Sequence, residues 1–142
     1  ASVSSVSNAM DVGNPSNFSR MLDLYDNDVE KMKCDVYGAS FSDEQTKKAL
    51  AEVFKKYKYI MDPHGTVAYL GLCDYLKNSS QFPEPLGVFL ETAHPAKFSD
   101  IVERAINTTV FMPERLKAYL GRKKHAIPIK NEFYDLKNFL LQ

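Results

Sequence analysis

One pattern occurs three times along this chain: a short apolar stretch, a polar turn ending in X-Pro, then apolar positions at helical spacing. In GVFLETAHPAKF (87–98), Val88, Phe89 and Leu90 form a continuous apolar run of the kind found in strands covered on both faces. His94-Pro95 then opens a helix, because the fixed φ of proline suits the first helical position and its missing N–H would have had no partner there. Phe98, Ile101, Val102, Ala105 and Ile106 share one face of that helix, which spans 97–106. Tyr59, Ile60 and Met61 likewise predict a short buried strand, after which Asp62 caps and Pro63 opens a helix carrying Val67, Leu70, Gly71, Tyr75 and Leu76. Nearer the start, Val3 and Val6 suggest a short strand. Asn14-Pro15 follows, with Asn14 as the N-cap of a helix that buries Phe18, Met21, Leu22 and Tyr25.

The clearest helix lies between these units. Ser42 and Gln45 make a capping box, and Ala49, Leu50, Val53, Phe54 and Tyr57 give the helix its core face. A short helix is expected near 27–32 and an edge strand over 34–42, where Gly38 weakens the pattern. Residues 77–85 read as a loop from their Asn, Ser and Pro content. Two further helices, 113–120 and about 131–141, flank a basic run, Arg122, Lys123, Lys124 and His125, expected to be a solvated surface loop. Strands alternating with helices predict an α/β domain over residues 1–142, with a small, mostly parallel sheet and helices on both faces. Right-handed crossovers would bring the three proline turns to one sheet edge. The helix starts could there face an anionic ligand, or serve only as caps.

Composition narrows the function classes. A chain of 142 residues, 44% hydrophobic and 25% charged, suits one globular domain. Its 18 basic residues balance 18 acidic ones, which argues against a nucleic-acid partner. No apolar run approaches the roughly 20 residues of a membrane span, so a cytoplasmic protein with no membrane partner is expected. Cys34 and Cys73 stand far apart and read as reduced thiols. His64, His94 and His125 are equally dispersed, so no metal site is expected. The chain starts ASVSSVSNAM, without an initiator methionine, and is expected to be a piece of something longer.

Three segments make the chain recognisable: SNAMDVGNPSNFSR (7–20), DPHGTVAYLGL (62–72) and ETAHPAKF (91–98). In their order and spacing they resemble the C-terminal part of the threonine synthase family. That resemblance implies a pyridoxal-phosphate enzyme of the tryptophan-synthase-β-like, fold-type-II class, which converts O-phosphohomoserine and water into threonine and phosphate. It also implies a missing N-terminal part of the same chain, which would supply the Schiff-base lysine and the Gly-rich phosphate loop. Neither motif is present here, and the six glycines are not clustered. No catalytic residue is therefore assigned within the chain, which should be inactive and bind no cofactor alone. Lys97 reads as a solvated or structural lysine. A threonine dehydratase, a cysteine synthase or a free-standing binding module are the rival readings, and the SNAMDVGNPSN segment disfavours the first two.

The resemblance also suggests residue roles. Thr92 would hydrogen-bond the cofactor's pyridine nitrogen through a neutral hydroxyl, its alternative being to satisfy backbone groups in the turn. Asn8, Ser16 and Asn17 would contact the phosphate or carboxylate of the substrate, with Asn14 left as the cap. His94 is a candidate for proton transfer, or equally the cap of the helix that Pro95 opens. His64 carries the same two readings.

Overall fold

The computed structural model describes residues 3–8, 12–78 and 85–142. In chain order its helices are α1 (Phe18–Leu24), α2 (Val29–Asp35), α3 (Asp43–Tyr57), α4 (Pro63–Asn78), α5 (Ser99–Ile106), α6 (Glu114–Leu120) and α7 (Phe133–Leu140). A 3₁₀ turn, Pro95–Phe98, leads into α5. The chain divides into two units, Ala1–Phe111 and Met112–Gln142.

Helix α3 organises the first unit. The Ser42 hydroxyl accepts from the Gln45 N–H at 3.2 Å and Gln45 Oε1 accepts from the Ser42 N–H at 2.8 Å, which closes the expected capping box. Asp43 and Glu44 in the first turn, and Lys55 and Lys56 in the last, complement the helix dipole. Lys58 ends the helix in the left-handed conformation (φ 58°), so that its N–H reaches the Phe54 carbonyl. The buried face of α3 packs against both α4 and α5. Leu50, Val53 and Met61 form the centre of that core, with Tyr69, Phe89 and Ala105 packed against it. Val102 of α5 is fully buried.

The expected α/β architecture is not what forms. Among the described residues there is no strand, and the small parallel sheet is replaced by helices packed on helices. The apolar run at 88–90 is extended but unpaired, and Val88 and Leu90 are 76% and 72% exposed. Only Phe89 turns inward, edge-on to Tyr69 with ring centroids 5.6 Å apart. The segment lies along α4 at Gly87, where a β-carbon would come within 2.7 Å of the Leu72 side chain. Tyr59, Ile60 and Met61 belong to a short link from α3 to α4, and Met61 is buried between helices rather than within a sheet. A short apolar run has the same composition whether it pairs as a strand or sends one side chain into a helical core, so periodicity alone could not separate the two. Val3 and Val6 also lie outside any strand; Val3 is exposed, and the Val6 N–H donates to Asp43 Oδ1 at 3.1 Å.

Two boundaries move as well. Helix α1 begins at Phe18 with Asn17, not Asn14, at the N-cap position. The Pro15 and Ser16 carbonyls accept from the Phe18 and Ser19 N–H groups, so residues 15–17 form a tight turn that delays the helix. Phe18 is 48% exposed and α1 buries none of its residues. Helix α2, capped by Asp28 Oδ1 on the Glu30 and Lys31 N–H groups, runs through Asp35 and takes the first residues of the expected edge strand. The remainder crosses α4 as an irregular strap: the Tyr37 hydroxyl donates to Asp74, and its ring lies edge-on to Tyr75 at 5.4 Å. In the second unit, α6 and α7 correspond closely to the two expected tail helices, and residues 121–125 are exposed.

Leu50 and Leu90 separate the two accounts of the core. Leu50→Ala should cost about 2–5 kcal/mol in urea unfolding of the chain, while Leu90→Ala should change stability by less than about 0.5 kcal/mol. Equal losses would show that the 88–90 run is buried after all.

Candidate functional site

Two of the three proline turns meet around one carboxyl group. Asp62 has no exposed surface, and its Oδ1 accepts from the His64 N–H at 2.8 Å and the Gly65 N–H at 3.4 Å. It is the cap that Asp62-Pro63 promised, and Pro63 is the first residue of α4. The Asp62 carbonyl accepts from both the N–H and the hydroxyl of Thr66, at 2.9 and 2.8 Å. Its second carboxylate oxygen reaches across to the other turn and accepts from the Ala93 N–H at 3.3 Å. In return, the Asp62 N–H donates to Glu91 Oε2 at 2.9 Å.

Glu91 is the residue that sequence reasoning missed. Its Oε1 is buried and meets no hydrogen-bonding partner. It occupies the space beside Gly65 where a β-carbon would otherwise stand, so any side chain at position 65 collides with the carboxyl. A carboxylate oxygen so placed, next to a second carboxylate, favours sharing a proton. Burial and then the hydrogen bond to Asp62 raise the Glu91 carboxyl to about 7. Burial alone would raise Asp62 too, but bonds from Glu91, His64 and the Ala93 N–H outweigh it and hold that carboxyl below its ordinary value. The available signal was an acidic residue at the end of an apolar run, inside the ETAHPAKF segment already singled out.

One imidazole, that of His64, flanks this pair. His64 Nδ1 lies 2.9 Å from Asp62 Oδ1, and its ring is edge-on to Phe98 at 5.1 Å. His94 Nδ1 accepts from the Ala96 N–H at 3.1 Å, so His94 is the cap of the 3₁₀ turn. Both helix starts thus spend their first N–H groups on their own side chains, which leaves the capping reading rather than an open anion site. Thr92 stands between the two residues tied to Asp62; its side chain is exposed and its hydroxyl makes no hydrogen bond among the described residues. Lys97 is exposed, with its N–H on the His94 carbonyl.

The expected substrate contacts lie elsewhere in the first unit. Asn8 is exposed at the end of a turn, its N–H on the Ser5 carbonyl, and that turn is tied to α3 by the Ser5 hydroxyl on Asp43 Oδ1 at 2.9 Å. Ser16 and Asn17 are exposed just before α1. The third proline turn, Asn14-Pro15, makes no hydrogen bond to the other two among the described residues.

Comparison with known proteins shows what the chain is similar to. Residues 73–140 match the family "Threonine synthase, C-terminal". A threonine synthase from Buchnera aphidicola subsp. Baizongia pistaciae is 37% identical over 140 residues, which cover 99% of this chain. The crystal structure of threonine synthase from Escherichia coli superposes on 99% of the chain with a TM-score of 0.74 and 32% identity. The chain corresponds to the C-terminal region of threonine synthases. It spans 31% of the length of the Buchnera enzyme and 31% of the Escherichia coli chain. A structure described as PLP-bound threonine synthase from Brucella melitensis, at 22% identity and a TM-score of 0.61, shares the fold. The helical packing described above is thus similar to the corresponding part of the Escherichia coli enzyme. Among the described residues no helix is long and apolar enough to cross a membrane.

The carboxyl pair should be visible in stability. In the folded chain Glu91 holds its proton to about pH 7, whereas the unfolded chain releases it near 4.5, so the folded state binds more protons between those values. Stability should therefore fall as pH rises from about 4.5 to 7. Asp62 contributes in the opposite sense, its stabilisation being lost as pH falls below the ordinary carboxylate range. Urea midpoints measured from pH 4 to 8 should show the decline above 4.5, and both Glu91→Gln and Gly65→Ala, which displaces the carboxyl, should flatten it. A decline that survives both substitutions would assign it to other groups.

Proposed function

We propose that this chain forms the C-terminal wall of the active-site cleft of a pyridoxal-phosphate-dependent threonine synthase, a cytoplasmic enzyme that converts O-phosphohomoserine and water to threonine and phosphate. The match to threonine synthases over 99% of the chain carries this reading. The cofactor and substrate belong to the whole enzyme, of which this chain spans about a third.

The donor chemistry at Thr92 fits the cofactor. The ring nitrogen of pyridoxal phosphate needs one hydrogen-bonding partner, and Thr92 offers an exposed hydroxyl with no competing bond among the described residues. When bound, the cofactor supplies the electron sink for carbanion chemistry at the substrate's carbon atoms. A neutral hydroxyl can donate to or accept from the ring nitrogen without holding a full negative charge beside it, unlike a carboxylate. Thr92 would orient the ring and set its electronic demand; it would not itself move the substrate proton. The amides of Asn8 and Asn17 and the Ser16 hydroxyl are exposed and suited to orienting the phosphate or carboxylate of the substrate. His94 is committed at Nδ1 to its cap, which supports a structural role for it.

The catalytic lysine and the phosphate cradle would come from the missing N-terminal part, which makes the chain alone inactive. In an intact enzyme containing this chain, phosphate should be released from O-phosphohomoserine in step with threonine formation. No release from that substrate, with turnover of serine or threonine instead, would favour a dehydratase. The chain alone, titrated with pyridoxal phosphate, should develop no saturable stoichiometric absorbance band, and Lys97→Ala should change nothing. A saturable band lost in that variant would overturn the division of labour.

A further inference from the structure

We infer that Asp62 is a positioning residue for Thr92, gripping the chain immediately on each side of it. The inference rests on the reading of Thr92 as the cofactor-facing hydroxyl. A threonine at the end of an extended, unpaired segment has no sheet to hold it: residues 85–92 lack regular structure, and Val88 and Leu90 face outward. What holds position 92 is a pair of reciprocal bonds, Asp62 N–H to the Glu91 side chain at 2.9 Å and Ala93 N–H to the Asp62 side chain at 3.3 Å. The two tethers hold the residues on either side of Thr92 from one anchor, Glu91 by its carboxyl and Ala93 by its main-chain N–H.

The anchor is itself rigid. Asp62 is fully buried at the start of α4, and its remaining acceptors are taken by His64, Gly65 and Thr66. The Glu91 carboxyl is wedged against Gly65, where a β-carbon would stand. Immediately after the clamp, the His94 cap and Pro95 fix the chain again, and Ala96 and Phe98 are buried. The side chain of Thr92 stays exposed between the two tethers. Orientation of a hydroxyl toward a ring nitrogen requires this kind of support, because a hydrogen bond weakens steeply as its angle departs from linearity.

Asp62→Asn is the selective probe. Asparagine still caps α4 through its amide oxygen, but its NH₂ cannot accept from the Ala93 N–H. In the intact enzyme, freed of cofactor, hydrogen exchange at the Ala93 amide should quicken about ten- to a hundredfold in Asp62→Asn, the range expected for losing a bond to a charged acceptor. Reloaded with pyridoxal phosphate, Thr92→Ala should shift the cofactor's absorbance or fluorescence band. Asp62→Asn should shift it in the same direction by less, and the double variant should match Thr92→Ala alone. Unchanged exchange at Ala93, or shifts that add in the double variant, would overturn the clamp. An unchanged band in Thr92→Ala would instead refute the cofactor role of Thr92, while the exchange rate still decides whether Asp62 holds the segment. Should Asp62→Asn fail to fold, Glu91→Ala, which leaves the α4 cap intact, makes the same measurement from the other side. It should shift the band as Asp62→Asn would, Glu91→Gln should restore it, and no shift would again overturn the clamp.

Discussion

The arrangement of this unit turns on a single buried carboxyl. Asp62 caps α4 with one oxygen and, with the other, holds the segment that carries Thr92, while its main-chain N–H is satisfied by Glu91. Burying a charged group is costly unless each lone pair finds a donor, and here four neighbouring residues supply donors to its side chain and carbonyl. The same bonds that make its burial tolerable join two chain segments about thirty residues apart.

That junction explains two features which are otherwise hard to place. Gly65 lies in the first turn of α4, where glycine is a poor helix former, because the Glu91 carboxyl takes the space of its side chain. Glu91 ends an apolar run, an unfavourable setting for a charge, and burial raises its carboxyl to about 7, toward the neutral form. Beneath the junction, α3 supplies the mass of the core. Met61, the residue just before Asp62, is buried against Leu50 and Val53, so hydrophobic packing sets the height at which the polar junction sits.

For function, the consequence is a division between scaffold and reach. The helices α3, α4 and α5 are tied together by apolar contacts, whereas the side chains proposed above as ligand contacts, Thr92 and Asn8, Ser16 and Asn17, all lie on exposed turns or segment ends. Such positions present polar groups at the surface without breaking the core.

Much of this was legible beforehand. The capping box at Ser42 and Gln45, the Asp62-Pro63 helix start and the tail helices follow from local rules of backbone hydrogen bonding, and three separated motifs were enough to indicate the family. Local rules failed where the outcome depended on a partner distant in sequence. Whether Val88, Phe89 and Leu90 pair as a strand depends on what lies beside them, and among the described residues no strand does. Glu91 was hidden for the same reason: its importance comes from facing Asp62 and Gly65, neither of which is its neighbour in the chain. By itself the sequence determined the capping box at Ser42, the start of α4 at Pro63 and which family the chain resembles, because these depend on residues close together. Only the tertiary structure decided that no strand forms among the described residues and that Asp62 bonds on both sides of Thr92, because strand pairing and the burial of a carboxyl depend on groups that folding alone brings into contact.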